Sequence, residues 1–154
     1  AKPRLRQCVS EQRTTHGNAI YQRRGEVITR LGPVVGEYYS MSSGYREKVE
    51  LSYRSGLQKM AFPELLEQSR RKDMANQFTT AGVHRDDMVM KIGGYPLRKY
   101  GSQGQQKSFL IALKLAQHTL LSDTGGERPI LLRDDLFDKL DTDRLEALIA
   151  LVND

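Results

Sequence analysis

The 154-residue sequence predicts an α/β protein in two lobes, a helical lobe over residues 1–78 and an α/β lobe over residues 79–154. Three observations carry this prediction. Residues 2–31 keep a helical spacing of apolar side chains. The stretch Gly101-Ser102-Gln103-Gly104-Gln105 opens the strongest helical pattern in the chain, and a short apolar run, Ile130-Leu131-Leu132, leads into Asp134-Asp135.

At about 100° per residue, Leu5, Val9, Ile20, Val27 and Leu31 fall within roughly 40° of one direction, as a core-facing stripe would. Lys2, Arg6, Arg13 and Arg24 gather around an adjacent direction and form a basic ridge. Gly17 and Gly25 each cost about 1 kcal/mol in a helix interior, so a break is expected near Thr15–Asn18. Gly32-Pro33 is expected to stop the helix, with a short helix over 34–41 and a turn at Ser42-Ser43-Gly44. Alternation over residues 48–53 predicts a half-buried strand. Pro63 suits the start of a helix over 63–77 that faces Leu65, Leu66 and Met74 inward and Arg70-Arg71-Lys72 outward.

Beyond Thr79 the pattern becomes mixed. Residues 88–92 and 95–99 flank Gly93-Gly94, a two-residue connection that favours a hairpin. A helix follows over 103–122. Pro129 leads into an apolar run suited to a buried parallel strand, and Asp141 can cap a last helix containing Leu145, Leu148, Ile149 and Val152.

Charge divides the chain unevenly. The formal total is +5. Residues 1–30 hold seven basic and two acidic groups, whereas the other 124 hold 17 of each and are neutral. No run approaches the ~18 apolar residues of a membrane span. The single cysteine, Cys8, rules out an internal disulfide and makes a reducing, cytoplasmic setting the expectation. The sequence starts without Met and ends directly after a helix-like run, so a piece of a longer protein is expected.

The basic ridge could neutralise nucleic-acid phosphates and release counterions, or it could be an ordinary solvated helix face. No aromatic or amide pattern suggests base readout, so DNA structure rather than sequence would be recognised. A glycine-flanked helix start offers unpaired N–H groups and about half a positive charge, which suits a phosphate; a plain glycine-rich connection is the competing explanation. Adjacent carboxylates at the end of a buried strand are costly unless they meet a cation, and hard oxygen ligands favour Mg²⁺; an acidic helix-capping loop is the alternative. Gly101–Ser108 is not a phosphate-cradling lysine loop, because Gln106 stands where glycine must precede the lysine. His84-Arg85-Asp86 matches only the opening of a kinase catalytic loop, since Lys91 occupies the position of its metal-binding Asn.

Tyr100 to Ser108, Ile130 to Asp141 and Gly82-Val83-His84-Arg85-Asp86-Asp87 together resemble the C-terminal part of the RecF family of DNA replication and repair proteins. Glu11-Gln12 and Leu51-Ser52-Tyr53 extend the likeness into the helical lobe. The resemblance implies the C-terminal part of an ABC-type ATPase head, P-loop NTPase-like, with an appended helical lobe. It implies a cytoplasmic, ATP-dependent DNA-binding protein of recombinational repair, acting at single-strand gaps and duplex junctions with RecR and RecO partners to help load the recombinase. ATP would be sandwiched in a homodimer. Ser102, Gly104 and Gln105 would form the signature that meets the γ-phosphate held by the other subunit. Asp134 would hold Mg²⁺, Asp135 would orient the attacking water, and Asp138 or Asp141, in the D-loop, would reach across the dimer. Hydrolysis is expected of the full dimer and not of this chain alone, because no phosphate-cradling loop occurs in it. Arg133 departs from the apolar run of the family, and Val83 stands where proline is common. The alternative function is a non-catalytic helical module that binds DNA or a protein partner.

Overall fold

The computed structural model describes residues 2–44, 46–124, 129–131 and 146, with side chains from Glu11 onward. The elements are α1 (Lys2–Ser42), β1 (Val49–Arg54), α2 (Phe62–Asn76), β2 (Asp87–Ile92), β3 (Tyr95–Pro96), α3 (Leu97–Tyr100) and α4 (Gln103–Thr124). Single 3-10 turns occur at Gly56–Gln58 and Val83–Arg85. The strands form one sheet in the order β1-β2-β3, and β2 pairs with β3 antiparallel, Lys91 opposite Pro96 and Ile92 opposite Tyr95.

α1 corrects two expectations. It runs unbroken for 41 residues through Gly17, Gly25 and Gly32-Pro33. An interior proline costs about 3 kcal/mol, while each fully buried large apolar side chain returns about 1.5–3 kcal/mol. Leu31, Val35 and Tyr39 on the inward side of this segment are all buried, so packing outweighs the proline. Pro33 itself is exposed, as is Thr29, whose carbonyl loses its helical donor and can turn to solvent.

The buried face of α1 only partly follows the expected stripe. Of that stripe Leu31 is buried, Ile20 and Val27 are exposed, and the side chains of Leu5 and Val9 lie outside the described residues; Gly17, Ile28, Val35 and Tyr39 complete the buried face. Gly17 is there for close approach. A Cβ at that position would lie 2.9 Å from the Phe62 ring. Glycine carries no apolar signal, and a helix expected to stop at Gly32-Pro33 leaves Val35 and Tyr39, which define the buried direction, outside the stripe.

Two compact units divide the chain, residues 1–27 with 53–88, and residues 28–52 with 89–154. In the first, α2 buries Phe62 under Gly17 and leaves Leu65 and Leu66 half-buried. Met74, expected inward, is 71% exposed in the last turn of α2, which ends two residues later at Asn76 with Gln77 in the left-handed region. Arg70, Arg71 and Lys72 are exposed, as a solvated face would be.

In the second unit, Leu31, Val35 and Tyr39 of α1 join Val49, Leu97, Phe109, Ala112 and Ala116 in one core. Gly93 and Gly94 have φ of 54° and 84°, the double positive φ that a tight hairpin turn requires. The returning strand is shorter than expected. Pro96 has no N–H for the ladder, and Leu97 turns into the core and starts α3. Ile130, expected in a buried strand, is 87% exposed, and residues 129–131 form no strand. A parallel strand needs paired neighbours, and none of the three described strands pairs with this run.

The correction on α2 is directly measurable. Phe62→Ala should lower the unfolding free energy in urea by about 3–5 kcal/mol, whereas Met74→Ala should change it by less than about 0.5 kcal/mol. Equal effects would contradict the burial assigned to this helix.

Candidate functional site at the start of α4

α3 ends where Gly101 donates its N–H to the Leu97 carbonyl at 2.8 Å. A Cβ on Gly101 would meet that same carbonyl oxygen at 2.7 Å, so glycine is required by the local turn rather than by an approaching anion. Ser102 then caps α4. Its Oγ accepts from Gln105 N at 3.2 Å, and Gln105 Oε1 accepts from Ser102 N at 2.7 Å. This is a reciprocal capping box, and it satisfies two of the donors at the start of the helix. Gln106 N begins the regular ladder by donating to the Ser102 carbonyl at 2.9 Å, and the Gln106 side chain donates to the Gly101 carbonyl at 2.9 Å. The N–H groups of Gln103 and Gly104 have no acceptor within the helix, and Ser102 and Gln103 are exposed.

Two residues that the sequence did not single out hold this box from behind. Gln105 Nε2 donates to Glu47 Oε1 at 2.8 Å, and the Tyr39 hydroxyl donates to Glu47 Oε2 at 2.6 Å. Tyr39 is completely buried, against Phe109 of α4 with ring centroids 6.2 Å apart. The capping box itself has a local signal, Ser102-x-x-Gln105. Glu47 has none, because it lies 58 residues from its partner. Ser108 is wholly buried, which removes it from contact with any phosphate.

Of the basic ridge, Lys2 and Arg6 lie on α1 with side chains outside the described residues. Arg13 is exposed and lines a cavity of about 400 Å³ with His16, Phe62, Leu66 and His84. Arg24 is engaged internally. It donates to the Val83 carbonyl at 2.6 Å and lies 3.7 Å from Asp86, whose side chain is 2% exposed. The Tyr53 hydroxyl donates to the same carboxylate. Asp86 is thus a structural acceptor for Tyr53 and Arg24, not an open catalytic base. Asp134, Asp135, Asp138 and Asp141 lie outside the described residues. Among the described residues, no cluster of three or more His, Cys, Asp or Glu side chains could hold a metal ion, and no helix is long and apolar enough to cross a membrane.

An α/β fold with a capped, glycine-flanked helix start beside a small antiparallel sheet is that of part of an ABC-type ATPase head. The particular protein it resembles is RecF. The chain is 42% identical over 144 residues to the DNA replication and repair protein RecF of Flavobacterium johnsoniae, covering 94% of this chain and 40% of that one. It is 47% identical over 136 residues to RecF of Cytophaga hutchinsonii, covering 88% and 36%. A structure of the recombination mediator protein RecF-ATPrS in the RecFOR pathway matches with a TM-score of 0.79 at 29% identity, over 94% of this chain and 42% of that chain. The RecF-ATP structure matches at 0.78. No family model matches the chain. The chain is RecF-like over nearly all its length and spans about 40% of the curated relatives it matches.

The cluster around Asp86 has a pH signature. Burial, and then the hydrogen bond to Asp86, push the Tyr53 hydroxyl from 10.0 up to about 12, with Arg24 pulling the other way. A raised pKa favours the protonated phenol in the folded state, so the associated stability is intact below pH 10 and is lost as pH rises toward 12. Unfolding free energy should therefore fall more steeply across pH 10–12 in the native chain than in Tyr53→Phe, followed by urea titration. Identical slopes would remove Tyr53 from this role.

Proposed function

We propose that the chain is the C-terminal part of an ATP-gated DNA-binding protein of replication and recombinational repair. Residues 1–78 would supply its helical lobe and residues 79–154 part of its ATPase head. The capped, solvent-facing start of α4, in a chain that is RecF-like over 94% of its length, is the observation that carries this reading. ATP, when bound by a second subunit, supplies a γ-phosphate carrying concentrated negative charge. Ser102 Oγ and the free N–H groups of Gln103 and Gly104 are donors of the kind that anion accepts, strengthened by the helix dipole. Gly104 has no side chain to hold the phosphate away from the backbone, and Gln105 fixes the geometry of the turn. The described residues therefore fit the trans-acting half of a nucleotide site.

By resemblance to the family, Asp134 would hold Mg²⁺, Asp135 would position the attacking water, and Asp138 or Asp141 would reach across the dimer. DNA binding, at gaps and junctions and with RecR and RecO partners, is proposed for the helical part of the chain. The unit formed by residues 1–27 and 53–88 holds 12 basic and seven acidic groups, so the whole excess of +5 belongs to it. Phosphate neutralisation by such a surface weakens as salt rises.

The test uses a chimera in which this chain replaces the matching segment of the Flavobacterium johnsoniae protein. Aspartate is as good an N-cap as serine, so Ser102→Asp keeps α4 folded while facing the phosphate with a like charge, a repulsion of about 4 kcal/mol at close range. ATP-dependent dimerisation, followed by light scattering, should be lost in Ser102→Asp and largely kept in Ser102→Asn. Indifference to both changes would favour a non-catalytic binding module.

A further inference from the structure

We propose that Glu47 is a positioning residue for the start of α4: its carboxylate selects the one orientation of the Gln105 amide that completes the Ser102 cap. This rests on the preceding proposal only for its consequence in dimerisation. The geometry is independent of it.

A glutamine amide can be rotated by half a turn about its last bond, exchanging Oε1 and Nε2 with almost no change in shape. In the capping box alone, a single hydrogen bond in an exposed turn, Ser102 N–H to Oε1, favours one state over the other. Ionised carboxylates only accept hydrogen bonds. Glu47 Oε1, 2.8 Å from the Gln105 amide, therefore requires Nε2 to face it. Oε1 is then directed at the other neighbour, Ser102 N, 2.7 Å away. The reversed amide would set oxygen against carboxylate and NH₂ against N–H, so both contacts would turn repulsive together. Glu47 is in turn steadied by the hydroxyl of Tyr39, which is completely buried and donates to Oε2 at 2.6 Å. The chain of contacts runs from the core, through one carboxylate and one amide, to the backbone that presents Ser102, Gln103 and Gly104.

The consequence is a defined set of outward donors. With Ser102 N occupied by Gln105, the Ser102 hydroxyl and the N–H groups of Gln103 and Gly104 remain for an anion. Removing Glu47 frees the amide to rotate, and Ser102 N–H then spends part of its time unpaired.

The experiment measures backbone amide exchange of Ser102 by NMR in the 154-residue chain for native, Glu47→Ala, Glu47→Gln, Gln105→Ala and the Glu47→Ala/Gln105→Ala double variant. Loss of a hydrogen bond to a charged group is expected to speed Ser102 exchange about tenfold in Glu47→Ala. Glu47→Gln should restore most of the protection, because its own Oε1 still accepts from Gln105 while its NH₂ can donate to the Tyr39 hydroxyl oxygen. The double variant should be no faster than Gln105→Ala alone, since Glu47 acts through that side chain. Unchanged exchange in Glu47→Ala, or fully additive effects in the double variant, would overturn the proposal. If Glu47→Ala unfolds, Gln105→Met, which keeps the chain length and removes the amide, gives the same answer: native-like Ser102 protection there refutes the relay. In the chimera, Glu47→Ala should weaken ATP-dependent dimerisation about tenfold, in step with Ser102 exposure. Faster exchange combined with unaffected dimerisation of Ser102→Asp upholds the positioning role and refutes the nucleotide reading, so the two failures are distinguishable.

Discussion

Tyr39 sits at 0% exposure at the end of a 41-residue helix, and a phenol placed there must hydrogen-bond or lose more than it gains by burial. Glu47 provides that bond with one oxygen and uses the other for Gln105. Two demands are met by one carboxylate: the core keeps its large aromatic side chain, and the first turn of α4 is fixed to the chain that follows α1. Phe109, 1% exposed and packed on Tyr39, carries the same connection through apolar contact. The position of the capping box is therefore set by the core, not by loop chemistry alone.

How far the fold was legible depended on whether the signal was local. Gly93-Gly94 declared the hairpin, because only a turn with two positive φ values needs that pair. The helix over 103–122 declared itself by its apolar content and extends just two residues further. α1 was misread at its glycines and at Pro33, where local propensity and tertiary packing disagree. The burial of Leu31, Val35 and Tyr39 outweighs a single proline, but it depends on α4 and β1, which lie far along the sequence. Met74 failed for the complementary reason: helical spacing alone does not bury an apolar residue, and Met74 stays 71% exposed in the last turn of α2.

The site was half legible. Ser102, Gly104 and Gln105 stood out as a glycine-flanked helix start, and the Ser-x-x-Gln spacing explains how two of them grip each other. Glu47 gave no sign, since a lone glutamate in a connecting segment has the appearance of any surface charge. The excess of +5 reappears intact in the unit of residues 1–27 and 53–88, but Arg24, one member of the expected ridge, is tied to Val83 and Asp86. Its cost of release makes Arg13 the better-placed of the two for an external phosphate.

These elements make a single physical statement: a buried aromatic, a bridging carboxylate and a capping box present a defined set of donors at the exposed start of α4. The most direct measurement is the ¹H–¹⁵N spectrum of the labelled chain mixed with unlabelled, full-length RecF of Flavobacterium johnsoniae, with and without ATP. The account predicts ATP-dependent shifts centred on the Ser102, Gln103 and Gly104 amides. Shifts that ignore ATP, or that leave these three amides unmoved while others respond, would contradict it.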